Sequence, residues 1–138
     1  MIVLEMRPIP TPRPRVTRYG TYNDPKYTAY KQAVALQCRR YFKEPISGPV
    51  KMELVFQFKT PKSWSKKRQA EAIRRGYHTQ KPDGDNLEKG IKDALNGIAY
   101  IDDAQVAEVN KVKVWGDRDM ILIDISSLEK QKEGGDEE

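Results

Sequence analysis

Between residues 81 and 106 the chain reads KPDGDNLEKGIKDALNGIAYIDDAQV. Asp83, Asp85, Asp102 and Asp103 bracket a segment whose apolar residues recur at helical spacing, and Lys89 lies within it. Carboxylates gathered in this way repel one another unless something positive sits among them. Three carboxylates with one lysine suit Mg²⁺ or Mn²⁺, which take hard oxygen ligands. A site of that kind activates water and neutralises charge developing on a phosphodiester. Each aspartate also fits an ordinary role. Asp85 suits the N-cap of a helix over residues 86–96, with Glu88 completing a capping box. Asp83 suits a turn after Lys81-Pro82, and Asp102-Asp103 a turn before a strand.

The helix between the acidic ends decides whether they can meet. Leu87, Ile91, Ala94, Leu95 and Ile98 give it one apolar face, and Asn96-Gly97 is a natural stop. Asp83 and Asp85, two apart on an extended approach, face the same way. Lys89 follows Asp85 by one turn. A helix of about 12 residues is roughly 18 Å long, and residues 98–103, if extended, reach roughly 20 Å. The chain after Gly97 can therefore retrace the helix and set Asp103 beside Asp85. Assembly across a dimer is the other route.

The remaining elements supply the frame. Residues 2–7 alternate as a first strand. Residues 7–25 hold prolines at 8, 10, 12, 14 and 25 together with Arg7, Arg13, Arg15 and Arg18. Proline removes amide donors, so this stretch is an extended or turning loop rather than a central strand or helix. It reads as a basic arm for phosphates, with Tyr19 and Tyr22 available for stacking. A helix over 25–43 starts behind Asp24 as cap and turns Tyr27, Tyr30, Val34, Cys38 and Tyr41 to the core. Residues 50–58 alternate cleanly as a strand. A second helix over 63–75 ends at Gly76, and Lys62, Lys66, Lys67, Arg68, Arg74 and Arg75 make it a second phosphate-binding face. Residues 105–115 and 119–126 read as strands joined by a hairpin turn, GDRD, at 116–119. The order predicts an α/β or α+β layer fold: one compact domain over 1–128, a mixed sheet of about four strands, about three helices.

Bulk composition narrows the class. The 138 residues are enough for one core. Residues 129–138, EKQKEGGDEE, hold five acids and two bases and read as a solvated, disordered tail. The whole chain has 25 basic and 20 acidic residues, so the first 128 carry 23 against 15. A body this basic fits a polyanion such as nucleic acid. No apolar run approaches the ~20 residues of a membrane span, and the start lacks the pattern of a signal peptide, so the cytoplasm is the expected compartment. The single cysteine, Cys38, forms no disulfide framework and is expected to be a small buried residue. The single histidine, His78, argues against histidine-bound zinc and is expected at the surface.

The motif Lys-Pro-Asp-x-Asp-Asn-Leu-x-Lys, followed by Asp-Ala-Leu-Asn-Gly and then Asp-Asp-x-Gln-Val, resembles the signature of the RusA-type Holliday-junction resolvases, nucleases common in phages and prophages. RPIPTPRPR near the start, the strand at 50–58, and TPKSWSKKRQ leading into GYHTQKPD resemble that family too, over about residues 3–125. The resemblance implies Mg²⁺ bound by Asp83, Asp85 and Asp103, with Asp102 as an acidic neighbour and Lys89 as the catalytic lysine near the scissile phosphate. It implies a homodimer making paired, symmetric cuts in a four-way DNA junction, in recombination and repair. Arg7, Arg13, Arg15, Arg18, Lys66, Lys67, Arg68, Arg74, Arg75 and Lys81 would bind the DNA backbone. Gly84 between the first two aspartates would loosen their loop. Two other readings stand beside this one: a DNA-binding module whose aspartates are structural, and a nuclease for flaps or other branched DNA.

Overall fold

The computed structural model describes residues 1–12, 15–17, 20–22 and 24–129, with backbone alone for 15–17 and 20–22. Four strands make one mixed sheet in the order β1, β6, β4, β5. They are β1 (Ile2–Leu4), β4 (Val50–Lys59), β5 (Val106–Gly116) and β6 (Met120–Ser127). Three helices, α1 (Pro25–Cys38), α2 (Lys66–Arg75) and α3 (Gly84–Ala94), complete the α+β domain. No described residue of the proline-rich arm joins this sheet; β2 (Arg15–Thr17) and β3 (Gly20–Tyr22) pair within the arm as a separate antiparallel ribbon.

β4 is the organising strand. Its alternation puts Val50, Met52, Leu54, Phe56 and Phe58 on the covered face, all essentially out of solvent. Across from Leu54 and Phe56, β6 offers Ile123 and Ile121, and β1 adds Ile2 and Leu4. Each such side chain contributes on the order of 2 kcal/mol on burial. α3 lays Leu87, Ile91 and Ala94 on this core, and α1 adds Tyr27, Tyr30, Val34 and Cys38. Burial raises the Cys38 thiol to about 11, so it is an inert core group.

Several expectations shift. The first helix stops at Cys38 and tightens into a 3₁₀ turn over Arg39–Tyr41, which leaves Tyr41 outside the core. The GDRD segment is not a hairpin turn. β4 lies between β5 and β6, parallel to the first and antiparallel to the second. The short link therefore arches over the end of β4. Gln57 Nε2 donates to Arg118 O at 2.9 Å, and the Lys59 amide donates to Asp119 Oδ1 at 2.8 Å. A Cβ on Gly116 would fall inside the Gln57 side chain, so a larger residue at the arch would have to displace Gln57 from Arg118.

His78 is buried rather than at the surface. Its ring stacks on Trp115 at 4.0 Å and tilts on Phe58 at 4.8 Å. Nδ1 accepts from the Gln80 amide at 3.2 Å, which leaves the proton on Nε2. Desolvation, then the nearby Lys113 charge, lowers its pKa. Among the described residues no helix is long and apolar enough to cross a membrane.

Candidate active site

α3 begins two residues earlier than the apolar periodicity suggests. Asp83, not Asp85, is at the N-cap, with extended backbone, and its carboxylate makes no cap hydrogen bond. The helix therefore does not use the Asp83 side chain, which stands exposed at the mouth of the turn. Asp85 sits in the first turn, 92 % exposed, and meets Lys111 of β5 at 2.9 Å. Lys111 Nζ also donates to Glu88 at 2.6 Å, and Lys92 pairs with Glu88 at 2.7 Å. The hydrogen bond and charge of Lys111 lower the Asp85 pKa. Burial would raise that of Glu88, but its bonds to Lys111 and Lys92 outweigh the burial and lower it. The two carboxylates raise Lys111 in turn. Lys111 thus offsets the repulsion between Asp85 and Glu88.

Gly84 has a definite place here. A Cβ on it would sit 3.1 Å from Lys111 Cε. The missing side chain lets the lysine stem cross the first turn to both carboxylates, so Gly84 serves a close approach rather than a loose loop. The turn before it is held by β5 as well. Lys113 Nζ donates to Gln80 O at 2.6 Å and Pro82 O at 2.7 Å, across a cis Lys81–Pro82 peptide. On the other side Thr11 ties the arm to the helix, its amide donating to Asn86 O at 3.1 Å and its hydroxyl meeting Tyr27 at 2.8 Å.

Asp103 does not retrace α3 to Asp85. Residues 95–100 are folded into turns instead of extended. Gly97, at φ 79°, donates to Tyr100 O at 2.7 Å, and the Tyr100 hydroxyl donates to Lys92 O at 2.8 Å. The reach counted on for the return is used up there. Burial, and then the carboxylates of Asp103 and Asp93, raise the Tyr100 pKa, which places Asp103 near the end of α3. Lys89 also looks that way, pairing with Asp93 at 3.4 Å rather than with Asp85. Asp93 and Asp85 are eight residues apart, about 12 Å along a helix. Asp102 caps the 3₁₀ turn Asp103–Gln105, and the Gln105 side chain closes the capping box that the periodicity assigns to Asp85. Among the described residues of one chain, no three carboxylate, imidazole or thiolate groups gather as a metal cage. The acidic segment is thus spread along α3: Asp85 and Glu88 share Lys111 at its start, Lys89 pairs with Asp93 further along, and Asp103 lies near Tyr100 toward its end.

Beside Asp83 lies an open groove of about 430 Å³. Arg7, Pro10, Phe58, Lys81 and Asn86 line it with the aspartate. Arg7 is held over the Phe58 ring at 5.3 Å and pairs with Asp119 at 3.3 Å. The groove thus carries two cations and one exposed carboxylate among its lining residues.

A family model described as Endodeoxyribonuclease RusA matches residues 5–126, which takes in the whole of this arrangement. The chain belongs to the RusA family. The Bacillus subtilis (strain 168) protein YqaN, itself named as uncharacterised, is 37 % identical over 129 residues, covering 88 % of this chain and 91 % of YqaN. The RusA family consists of endodeoxyribonucleases acting on branched DNA.

In this RusA-family chain the basic residues assigned to DNA fall on different surfaces. Arg7 and Lys81 reach the Asp83 groove. Lys66, Lys67, Arg68, Arg74 and Arg75 lie on α2, which has no buried residue and presents its charges to solvent. Ser65 caps that helix and Gly76, at φ 87°, ends it. Arg13 and Arg18, and the side chains of Arg15, Tyr19 and Tyr22, lie outside the described residues. Glu88, Lys111 and Lys113 were missed by sequence reasoning. A signal existed for the lysines: they alternate with Val112 on the strand, opposite the core residues Leu54 and Phe56. Charges on a covered face must carry their heads to a partner at its edge.

Proposed function

We propose that this RusA-family chain is a Mg²⁺-dependent endonuclease that resolves four-way DNA junctions by paired, symmetric nicks as a homodimer. The observation that carries the reading is the exposed Asp83 carboxylate, unused by its own helix cap, lining a groove together with Arg7 and Lys81. Asp83 and Asp85 are hard oxygen donors of the kind Mg²⁺ takes, but one chain brings no third such group to them among the described residues. A homodimer accounts for this. The start of α3 in one copy, meeting the end of α3 in the other, would add Asp103 and Lys89 to Asp83 and Asp85. An ion held there supplies water activation and offsets phosphodiester charge.

The chain's own groups do the rest. Arg7 and Lys81 bind backbone phosphates and orient the strand toward Asp83. Lys111 holds Asp85 and Glu88 in place, and Lys89 stabilises charge developing on the phosphoryl oxygens. The cations of α2 bind flanking phosphates, which makes binding strongly salt-dependent. Dimer symmetry and DNA shape, more than base edges, would select the junction.

The test is cleavage of a synthetic four-way junction with and without Mg²⁺, beside linear duplex and flap substrates, for wild type and Asp83→Asn. The expected result is paired nicking of the junction alone, lost in EDTA, with Asp83→Asn binding the junction and not cutting it. Preferential flap cutting would move the assignment to other branched DNA. Wild-type cutting by Asp83→Asn would return Asp83 to a structural role.

A further inference from the structure

Tyr77 is held rigidly and yet projects into water. Its backbone bridges Val114 of β5, with Trp115 N donating to Gly76 O at 2.7 Å and His78 N donating to Lys113 O at 2.9 Å. The residue is nevertheless 70 % exposed. It borders a groove of about 250 Å³ together with Trp64, Trp115, Arg68, Arg75 and Glu71. The groove's floor is fixed, with Trp64 edge-on to Trp115 at 5.0 Å and Trp115 stacked on His78 at 4.0 Å. Arg68 lies over Trp64 at 3.9 Å. Glu71, the one acid among the groove's described residues, faces Arg74 at 4.0 Å, and Arg68 and Arg75 leave the wall net positive.

An isolated exposed tyrosine requires no explanation. A fixed aromatic surface with guanidinium groups beside it is a different object, because it matches a planar base attached to a phosphate. A base in continuous duplex has both faces covered by its neighbours, whereas one at a branch point has a face to offer. We infer that this groove binds an unstacked nucleotide of the branched DNA, with Tyr77 stacking on the base and Arg75 and Arg68 holding its phosphate. The inference rests on the nuclease reading and adds a recognition site to it. Tyr77 precedes Asp83 by six residues, at most roughly 20 Å of chain. At about 3.4 Å per nucleotide along a strand, the nucleotide held there is within about six of the one at Asp83. The groove would thus register the branch point against the cut.

The experiment measures binding of the full chain, without divalent ions, to a four-way junction, a linear duplex and a thymidine oligomer. Tyr77→Ala is expected to weaken junction and single-strand binding by roughly tenfold or more and to leave duplex binding unchanged. Tyr77→Phe should bind as wild type, and Tyr77→Leu should resemble the alanine variant. Arg75→Ala should weaken all three and flatten the salt dependence. Equal losses on duplex and junction, or no loss on any DNA, overturn the assignment. If Tyr77→Ala binds every DNA normally but no longer self-associates in sedimentation, the groove docks protein and the nucleotide assignment falls. Metal-dependent junction cutting by the wild type, measured in parallel, separates failure of this groove from failure of the nuclease reading.

Discussion

Replacing Lys111 by methionine removes the cation between Asp85 and Glu88 while keeping an unbranched apolar stem. Glu88 is 14 % exposed and accepts from two lysines, at 2.6 Å and 2.7 Å. A hydrogen bond to a charged group contributes about 1.5–3 kcal/mol. Lys92 stays in place, so Lys111→Met should cost about 1.5 kcal/mol at neutral pH, nearly all of it through Glu88. Lys92→Met should cost a similar amount. The double variant strands a mostly buried carboxylate, for which about 3–5 kcal/mol is usual, so the pair should lose at least as much as the two single costs together. The pH dependence has a definite sign. Asp85 and Glu88 are shifted down in the fold, so their contribution is present above the unfolded carboxylate pKa and is lost as pH falls through the folded values. Lys111 is shifted up, so its contribution is present below the unfolded lysine pKa and is lost only in strong alkali. Urea unfolding at pH 7, 5 and 4 should show the Lys111→Met penalty shrinking toward the acid end. A penalty under about 0.3 kcal/mol at pH 7, or one that does not change with pH, would refute the ion-pair account.

Gly116→Ala should destabilise by about 1–2 kcal/mol, measured in urea, and Gln57→Ala on the same chain should recover part of the loss by clearing the space. The lowered pKa of His78 means the unfolded chain takes up a proton that the fold excludes. Stability should therefore decline as pH drops below about 6.5, by at most about 1.4 kcal/mol per unit, and His78→Gln should abolish that slope. Asp102→Ala should cost about 1 kcal/mol through the lost capping box, and it should impair cleavage less than Asp83→Asn does. Sedimentation at micromolar concentration should give twice the 15.9 kDa chain mass; a species of single mass alone would contradict the homodimer.

Periodicity made the covered elements legible. The strict alternation from Val50 to Phe58 and the four-three spacing of Leu87, Ile91 and Ala94 can bury one face only one way, and those faces are buried. The family was legible from the acidic motif with its flanking segments. Two things were not. Sequence spacing bounds how far a segment reaches but not whether it stays extended, and the turn at Gly97 takes up the length that would carry Asp103 back. Strand adjacency was the other. GDRD has the composition of a hairpin turn, and the rungs to β4 that overrule it are set by core packing, which turn residues do not encode. His78 was misplaced because its burial comes from Trp115, distant in sequence, through stacking that periodicity does not register.

The insertion of β4 between β5 and β6 bears on the order in which the molecule is built. Each rung of β4 pairs with a residue more than fifty positions further along the chain. Consecutive strands that could have zipped locally are held apart, so the sheet forms through distant contacts, which are slow to close. A chain emerging from the ribosome can form α1 and α2 early, but β4 has no neighbour until residues 106–127 have been made. Lys111 and Lys113, which brace the start of α3, arrive on the same late strand. Fold and proposed cutting centre are thus completed in one closing event, and a chain stopped short of β5 would carry the basic residues of α2 with no braced carboxylates.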